Sequence, residues 1–234
     1  MSLSREERLR ELGLWPVWRL QSRPGGVKEE TDTTPSPHPL SLLESEPMDW
    51  ERLTEAVRNC TRCDLHKTRT QGVVGVGDRQ AEWLIIGEAP GADEDRQGEP
   101  FVGQAGKLLD AMLAGIGLKR GRNVYIANVL KSRPPGNRDP RPEEVATCLP
   151  YLERQIDLIR PKLILALGRF AAQSLLHTDT PIGKLRGRVH AYRGVPLVVT
   201  YHPAYLLRSA HDKAKAWEDL LLARSTIAGI SPPK

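Results

Sequence analysis

Trp83-Leu84-Ile85-Ile86-Gly87-Glu88-Ala89-Pro90-Gly91-Ala92-Asp93-Glu94-Asp95 is the stretch that decides the fold reading. A short apolar run bounded by Gly and Pro predicts a strand buried on both faces. The acidic, Gly/Pro-rich loop continues through Gly98-Glu99-Pro100-Phe101-Val102-Gly103 and then meets a helical pattern. A strand that feeds such a loop and then a helix is where an open α/β sheet holds its ligand. The loop brings carboxylates, an aromatic ring and free backbone N–H groups together. That combination marks a reaction site or a tight binding pocket.

Working outward, further apolar strands rich in Ile, Val and Leu are predicted at 123–128, 163–167 and 196–200, alongside the one at 83–87. Helical patterns separate them. Leu108, Leu109, Met112, Leu113 and Ile116 follow the 3.6 period. So do Val145, Cys148, Leu149, Leu152, Ile156 and Ile159, with Pro142 in the first turn. Such alternation predicts an α/β fold, a three-layer α/β/α sandwich around a short four-stranded parallel sheet. This domain is expected over 48–234, with a first helix at 50–59. Residues 4–20 read as a short amphipathic segment with a Ser4/Glu7 capping box. Residues 21–47, rich in Pro, Ser, Thr and Glu, read as a disordered linker.

The chain of 234 residues is 39% hydrophobic and carries a formal net charge of +5. That balance permits a polyanionic partner without requiring one. Lys184, Arg186, Arg188 and Arg193 share a segment without acids, and Lys119, Arg120, Arg122, Lys131, Arg133, Arg138 and Arg141 form a second basic zone. Two basic loops on an α/β domain suit a phosphate backbone, and equally suit a solvated basic surface. No apolar run reaches the roughly 18–20 residues that span a bilayer. No signal-peptide pattern opens the chain, so the expectation is a cytoplasmic protein away from membranes. Three cysteines do not make a disulfide framework there.

Each predicted strand ends in polar residues, and the ends of parallel strands converge on one edge. Glu88, Asn128 and His202 are therefore expected around one pocket, with Phe101 nearby. Taken singly, Asn128 reads as a turn residue, His202 as a loop residue and Phe101 as a core ring. Together they describe an amide that reads the edge of a heterocycle, a ring that stacks on it, and a donor for a carbonyl gaining charge. That set fits a pyrimidine base.

In these residues the chain resembles the family 4, iron–sulfur uracil-DNA glycosylases. Gly87-Glu88-Ala89-Pro90-Gly91 with Glu94-Asp95 resembles the family's first motif, and His202-Pro203-Ala204 its second. Arg133-Pro134-Pro135-Gly136-Asn137-Arg138 resembles the loop after the second strand, and Cys60-Thr61-Arg62-Cys63 the first cluster ligands. The likeness covers roughly residues 50–225. It implies a monofunctional DNA-repair hydrolase that flips uracil out of single- or double-stranded DNA, cleaves its N-glycosidic bond and leaves an abasic site.

The resemblance also implies roles. Glu88 and His202 would be catalytic, and Gly87, Glu88, Ala89, Glu94, Phe101, Asn128 and His202 would bind uracil. Glu94 would exclude the methyl group of thymine. Arg133, Arg138, Lys184, Arg186, Arg188, Leu206, Leu207 and Arg208 would contact DNA, the two leucines by pressing into the duplex. The expected state is a monomer. A non-catalytic nucleic-acid or replication-partner protein on the same fold is the alternative. Leu12-Gly13-Leu14-Trp15-Pro16-Val17-Trp18-Arg19-Leu20 resembles the partner-binding segment of the clamp-loader psi subunit. Residues 1–20 are therefore either a contact for a replication or repair partner or a segment that docks on its own domain.

The family holds a [4Fe–4S] cluster on four cysteines. Here Cys60, Cys63 and Cys148 match three ligands, and Ser132 stands at the remaining one. A serine oxygen is a harder and poorer iron ligand than a thiolate. Three outcomes remain open: a cluster with Ser132 or water at its fourth iron, a labile or three-iron form, and no cluster.

Overall fold

A computed structural model describes residues 48–230. The expected segment at 4–20 and linker at 21–47 lie outside the described residues. The chain enters through α1 (Trp50–Arg58), whose N-cap Asp49 accepts a hydrogen bond from Arg52 N. It then builds β1 (Val76–Gly77), β2 (Trp83–Gly87), α2 (Ala92–Gln97), α3 (Gln104–Gly115) and β3 (Val124–Asn128). After these come α4 (Pro142–Ile159), β4 (Leu163–Leu167), α5 (Gly168–Leu176), α6 (Ile182–Leu185), β5 (Val189–Tyr192), β6 (Val195–Thr200), α7 (Pro203–Arg208) and α8 (Lys213–Ile230).

The strands form one sheet in the order β1-β3-β2-β4-β6-β5. The central strands β3, β2, β4 and β6 are parallel, as their continuous apolar character predicts. Side chains alternate across them. Leu84, Ile86, Ala127, Ile164, Ala166, Leu197 and Val199 face Leu152 and Ile156 of α4 and Ala171, Ala172 and Leu175 of α5. Trp83, Ile85, Ile126, Leu163, Leu165 and Val198 face Leu109 and Leu113 of α3 and Leu220, Ala223 and Ile227 of α8. Two apolar layers, one on each side of the sheet, make the three-layer sandwich.

The sheet is wider than the four strands expected. β1 and β5 add antiparallel edges. β5 joins β6 through Arg193 and Gly194, whose φ values of 49° and 81° match a type I′ hairpin turn. The segment expected to be a basic loop is thus partly an edge strand. The hairpin also carries Arg193 away from Lys184 and Arg188. Arg193 sits at the far end of β5, paired with Asp157 at 3.1 Å. Among the described residues, no helix is long and apolar enough to cross a membrane.

Candidate active site

The parallel register brings the strand ends together. Gly87 pairs with Asn128 across β2 and β3, and Leu167 with Thr200 across β4 and β6. The pairing runs on past β3, because Val129 N and Leu130 N donate to the carbonyls of Gly87 and Glu88, each at 3.0 Å. A cleft of about 790 Å³ opens at this edge, lined among others by Glu88, Glu94, Phe101, Asn128 and His202. The four groups expected to meet therefore do meet.

Gly87 is what lets two of them approach. A Cβ there would lie 2.4 Å from Asn128 Oδ1 and 2.6 Å from the Phe101 ring. Asn128 is 2% exposed, yet its Oδ1 has no hydrogen-bond partner. A buried, unsatisfied amide oxygen beside an aromatic ring is a costly feature, expected where a ligand supplies the missing N–H. Phe101 adopts φ 57°, a left-handed conformation unusual for a non-glycine residue. Arg120 holds that bend, donating to Pro100 O at 3.0 Å and Phe101 O at 2.8 Å while pairing with Asp110. Arg120 is therefore a clamp on the Phe101 backbone, not part of a free basic surface. Gly106 completes the clamp, since a Cβ on it would stand 1.8 Å from Phe101 O.

The ring of His202 lies 5.5 Å from that of Phe101, tilted by 32°. His202 caps α7, and its Nδ1 accepts from Ala204 N at 3.2 Å. An accepting Nδ1 puts the proton on Nε2. Enclosure lowers the His202 pKa to about 4, with Arg208 adding to the effect. The imidazole is thus neutral near pH 7 and offers one N–H. Glu88 is shifted the other way, to about 7, by burial and then by Asp139, against a smaller opposing effect of Arg169.

Glu94 lines the cleft, but its carboxylate is already engaged. Oε2 accepts from Gly91 N at 3.1 Å, and Oε1 from Val102 N at 3.0 Å and Gly103 N at 3.3 Å. It ties the two halves of the acidic loop together and so helps to place Phe101.

The candidate DNA contacts divide. Arg138 makes a two-pronged pair with the buried Glu144, at 2.9 and 2.5 Å. Arg186 pairs with the fully buried Asp219 at 3.0 Å. Both guanidinium groups are structural ties within the domain. Arg133 is held by Asn137 Oδ1 at 2.7 Å. Lys184, Arg188 and Arg208 are exposed, and among the described residues none enters an ion pair. Leu206 is 1% exposed and packed inside, because α7 turns it toward the core, whereas Leu207 is 50% exposed. Only Leu207 of the two is placed to meet a duplex. Lys131, grouped by sequence with the basic zone, is 1% exposed. Its Nζ donates to Asn128 O at 2.8 Å and Gln155 Oε1 at 2.5 Å.

Behind the cleft lies a thiol corner. Cys60, Cys63 and Cys148 are free. Cys148 packs with Leu65 and Leu130, against which Cys63 and Ala89 also rest. Burial raises the Cys63 pKa and pushes that of Cys148 to about 11. Thiolates there need a compensating positive charge such as iron. Ser132 Oγ accepts from Arg69 Nη1 at 2.7 Å, while Nη2 of the same guanidinium donates to Cys60 O at 2.9 Å and Arg58 O at 2.8 Å. Among the described residues, no three His, Cys, Asp or Glu side chains converge on a single metal ion. The three thiols and the Ser132 hydroxyl, held by Arg69, are thus not gathered as the ligands of one ion.

Arg169, Tyr201 and Tyr205, which follow the predicted strand ends, line the cleft with Phe170, whereas neither Phe170 nor the ties made by Arg69, Arg120 and Glu144 show in the sequence. The Arg69 and Arg120 ties depend on carbonyls nine to twenty residues away, which no local pattern encodes.

Residues 74–221 match the family model described as the uracil DNA glycosylase superfamily. A type-4 uracil-DNA glycosylase of Archaeoglobus fulgidus is 52% identical over 168 residues, 67% of this chain and 84% of that protein. One of Pyrobaculum aerophilum is 43% identical over 183 residues, 75% of this chain and 93% of that protein. One of Thermotoga maritima is 42% identical over 181 residues, covering 76% and 94%.

Proposed function

This chain belongs to the uracil DNA glycosylase superfamily, on its type-4 branch, and from that premise we propose that the cleft takes an everted uracil and hydrolyses its N-glycosidic bond. The observation that carries the reading is Asn128 Oδ1, buried and unpartnered beside the Phe101 ring. Uracil supplies what it lacks. N3–H donates to Oδ1, and the amide NH₂ donates to O4. Cytosine exchanges donor and acceptor on that edge and leaves both amide atoms opposed. Phe101 stacks on the ring. Glu94, fixed by three backbone N–H groups, stands as the wall that turns away a 5-methyl group.

Bond cleavage leaves the electron pair on N1, and the charge spreads to O2. Neutral His202 donates Nε2–H to that oxygen, so no proton transfer is required of it. Glu88, as carboxylate, faces the positive charge developing at C1′. It accepts a proton from the water whose oxygen bonds to C1′. Eversion costs a few kcal/mol. Lys184, Arg188 and Arg208 contribute phosphate contacts, and Leu207 fills the space the base leaves.

Cys60, Cys63 and Cys148 would hold three corners of an iron–sulfur cluster, and Ser132 would stand at the fourth. The cluster is structural in this reading and takes part in no step of base release. Anaerobically purified protein is expected to contain iron and absorb broadly near 400 nm. Ser132→Cys is expected to slow iron loss to a chelator, and equal loss from both proteins contradicts the fourth-corner assignment.

The direct test uses three single-stranded oligonucleotides that differ only in one uracil, thymine or cytosine, followed by alkaline cleavage of abasic sites. Cleavage of the uracil strand alone is expected. DNA binding without cleavage favours the non-catalytic alternative.

A further inference from the structure

The cleft is far roomier than one planar six-membered ring requires, and its second half is aromatic. Gly168, at φ 89°, brings the end of β4 against His202, since a Cβ there would lie 2.8 Å from His202 Cβ. The next two residues, Arg169 and Phe170, therefore stand directly beside the wall of the base slot, and both line the same cleft. Phe170 is only half-buried. The Arg169 guanidinium carbon lies 4.3 Å from its ring centroid, and Asp139, on the loop after β3, pairs with Arg169 at 3.3 Å. A guanidinium laid over an aromatic ring, and steadied from a second loop, is a ready platform for a nucleobase. No residue of the mechanism above uses it.

We propose that Arg169 and Phe170 form a second stacking subsite, which takes the base adjacent to the everted uracil on the same strand. The inference rests on the glycosylase reading and extends it. The occupant is set by continuity. The subsite opens into the slot, and the neighbouring nucleotide is the group covalently delivered to its mouth whenever uracil is bound. A base in a duplex is stacked on its own neighbours, whereas a base in a single strand is free to move onto the platform. The subsite therefore favours single-stranded substrate, and it acts on substrate capture instead of the chemical step.

The test is single-turnover uracil release from single-stranded oligonucleotides. The base 5′ or 3′ to the uracil is present or replaced by an abasic tetrahydrofuran. For the wild-type enzyme, removing the neighbouring base on one side is expected to raise the half-saturating enzyme concentration on the order of tenfold, the size of one lost base–aromatic stack. The maximal rate stays unchanged. Phe170→Ala is expected to show the same rise on the intact strand and no further rise on the abasic-neighbour strand. Phe170→Leu, which keeps apolar volume without the π-face, is expected to behave likewise with unaltered thermal stability. An effect of Phe170→Ala or Phe170→Leu that is as large on the abasic-neighbour strand as on the intact strand, or no effect of the neighbouring base in wild type, overturns the subsite. Failure of the wild type to release uracil from any strand overturns the glycosylase reading itself.

Discussion

Asn128 ends β3 and Ser132 lies four residues further on, and both are buried, at 2% and 4% exposure. Asn128 Oδ1 has no hydrogen-bond partner, whereas Ser132 Oγ takes one from Arg69 at 2.7 Å. Their surroundings repeat the difference. In the base slot, Glu88 and His202 sit at shifted pKa values, one raised and one lowered, because enclosure disfavours charge in both. In the thiol corner, Arg69 ties Ser132 to the backbone of Cys60 and Arg58, and Lys131 ties Asn128 O to Gln155. Buried polar atoms that find partners hold the fold, whereas Asn128 Oδ1, left without one, belongs to a residue that lines the cleft. Substitutions in the two regions should therefore fail in different ways.

After the reader itself, the largest loss is expected at His202. His202→Ala should lower the single-turnover rate by about 10²–10³-fold, the effect of removing one donor to a developing oxyanion. Stability should fall only by the lost α7 cap, about 0.5–2 kcal/mol, with the fold kept. Loss of fold with loss of rate would place His202 with the structural group. Gly87→Ala comes next. Its Cβ overlaps Asn128 Oδ1 and the Phe101 ring, so base release should fall at least about tenfold, since displaced reading groups lose the transition state. A normal rate would mean that the slot does not need both groups at those positions.

Arg69→Ala is expected to do the reverse. It leaves Ser132 Oγ and three carbonyls without their donor. A loss of about 1–3 kcal/mol follows from unsatisfied buried groups, with the rate per folded molecule retained. Thermal melting with a parallel base-release assay reads both.

Glu88 gives a smaller, pH-dependent effect. Its folded pKa of about 7 lies above the ordinary 4.5. The folded state therefore binds the extra proton, and this group's contribution to stability falls as pH rises from about 4.5 to about 7. Glu88→Gln should remove that slope and leave the variant the more stable protein at pH 8. The wild-type rate, which needs the carboxylate, should rise through pH 7 and level off. Parallel melting curves for the two proteins across that range would contradict the assignment. The smallest effects belong to the rim. Lys184→Ala or Arg188→Ala should weaken DNA binding by a few-fold and lower the slope of log K against log salt by about one each.

Much of this division is visible in the sequence, for a definite reason. Parallel strands buried on both faces are continuous apolar runs, so Trp83–Gly87 and Leu163–Leu167 announce themselves, and their ends place Glu88, Asn128 and His202 on one edge. The edge strand Val189–Tyr192 is short and mostly exposed, and its hairpin turn uses Arg193 at positive φ where Asn or Gly is the usual signal. Charge gives the poorest guide. Lys131, Arg120, Arg138 and Arg186 read as basic surface, yet each meets a carbonyl, an amide or a carboxylate that only tertiary structure brings near. The same limit separates Leu206 from Leu207. Adjacent positions on a helix point about 100° apart, and the packing of α7 decides which one is inside.

Asn128→Ala puts the contrast to its most direct test, with uracil release under single turnover and thermal unfolding measured on one preparation. The account predicts that release drops by at least about a hundredfold, because an edge-reading pair is lost in the transition state, while the melting temperature holds or rises once the unsatisfied oxygen is gone. Wild-type release by the variant, or collapse of its fold, would contradict it.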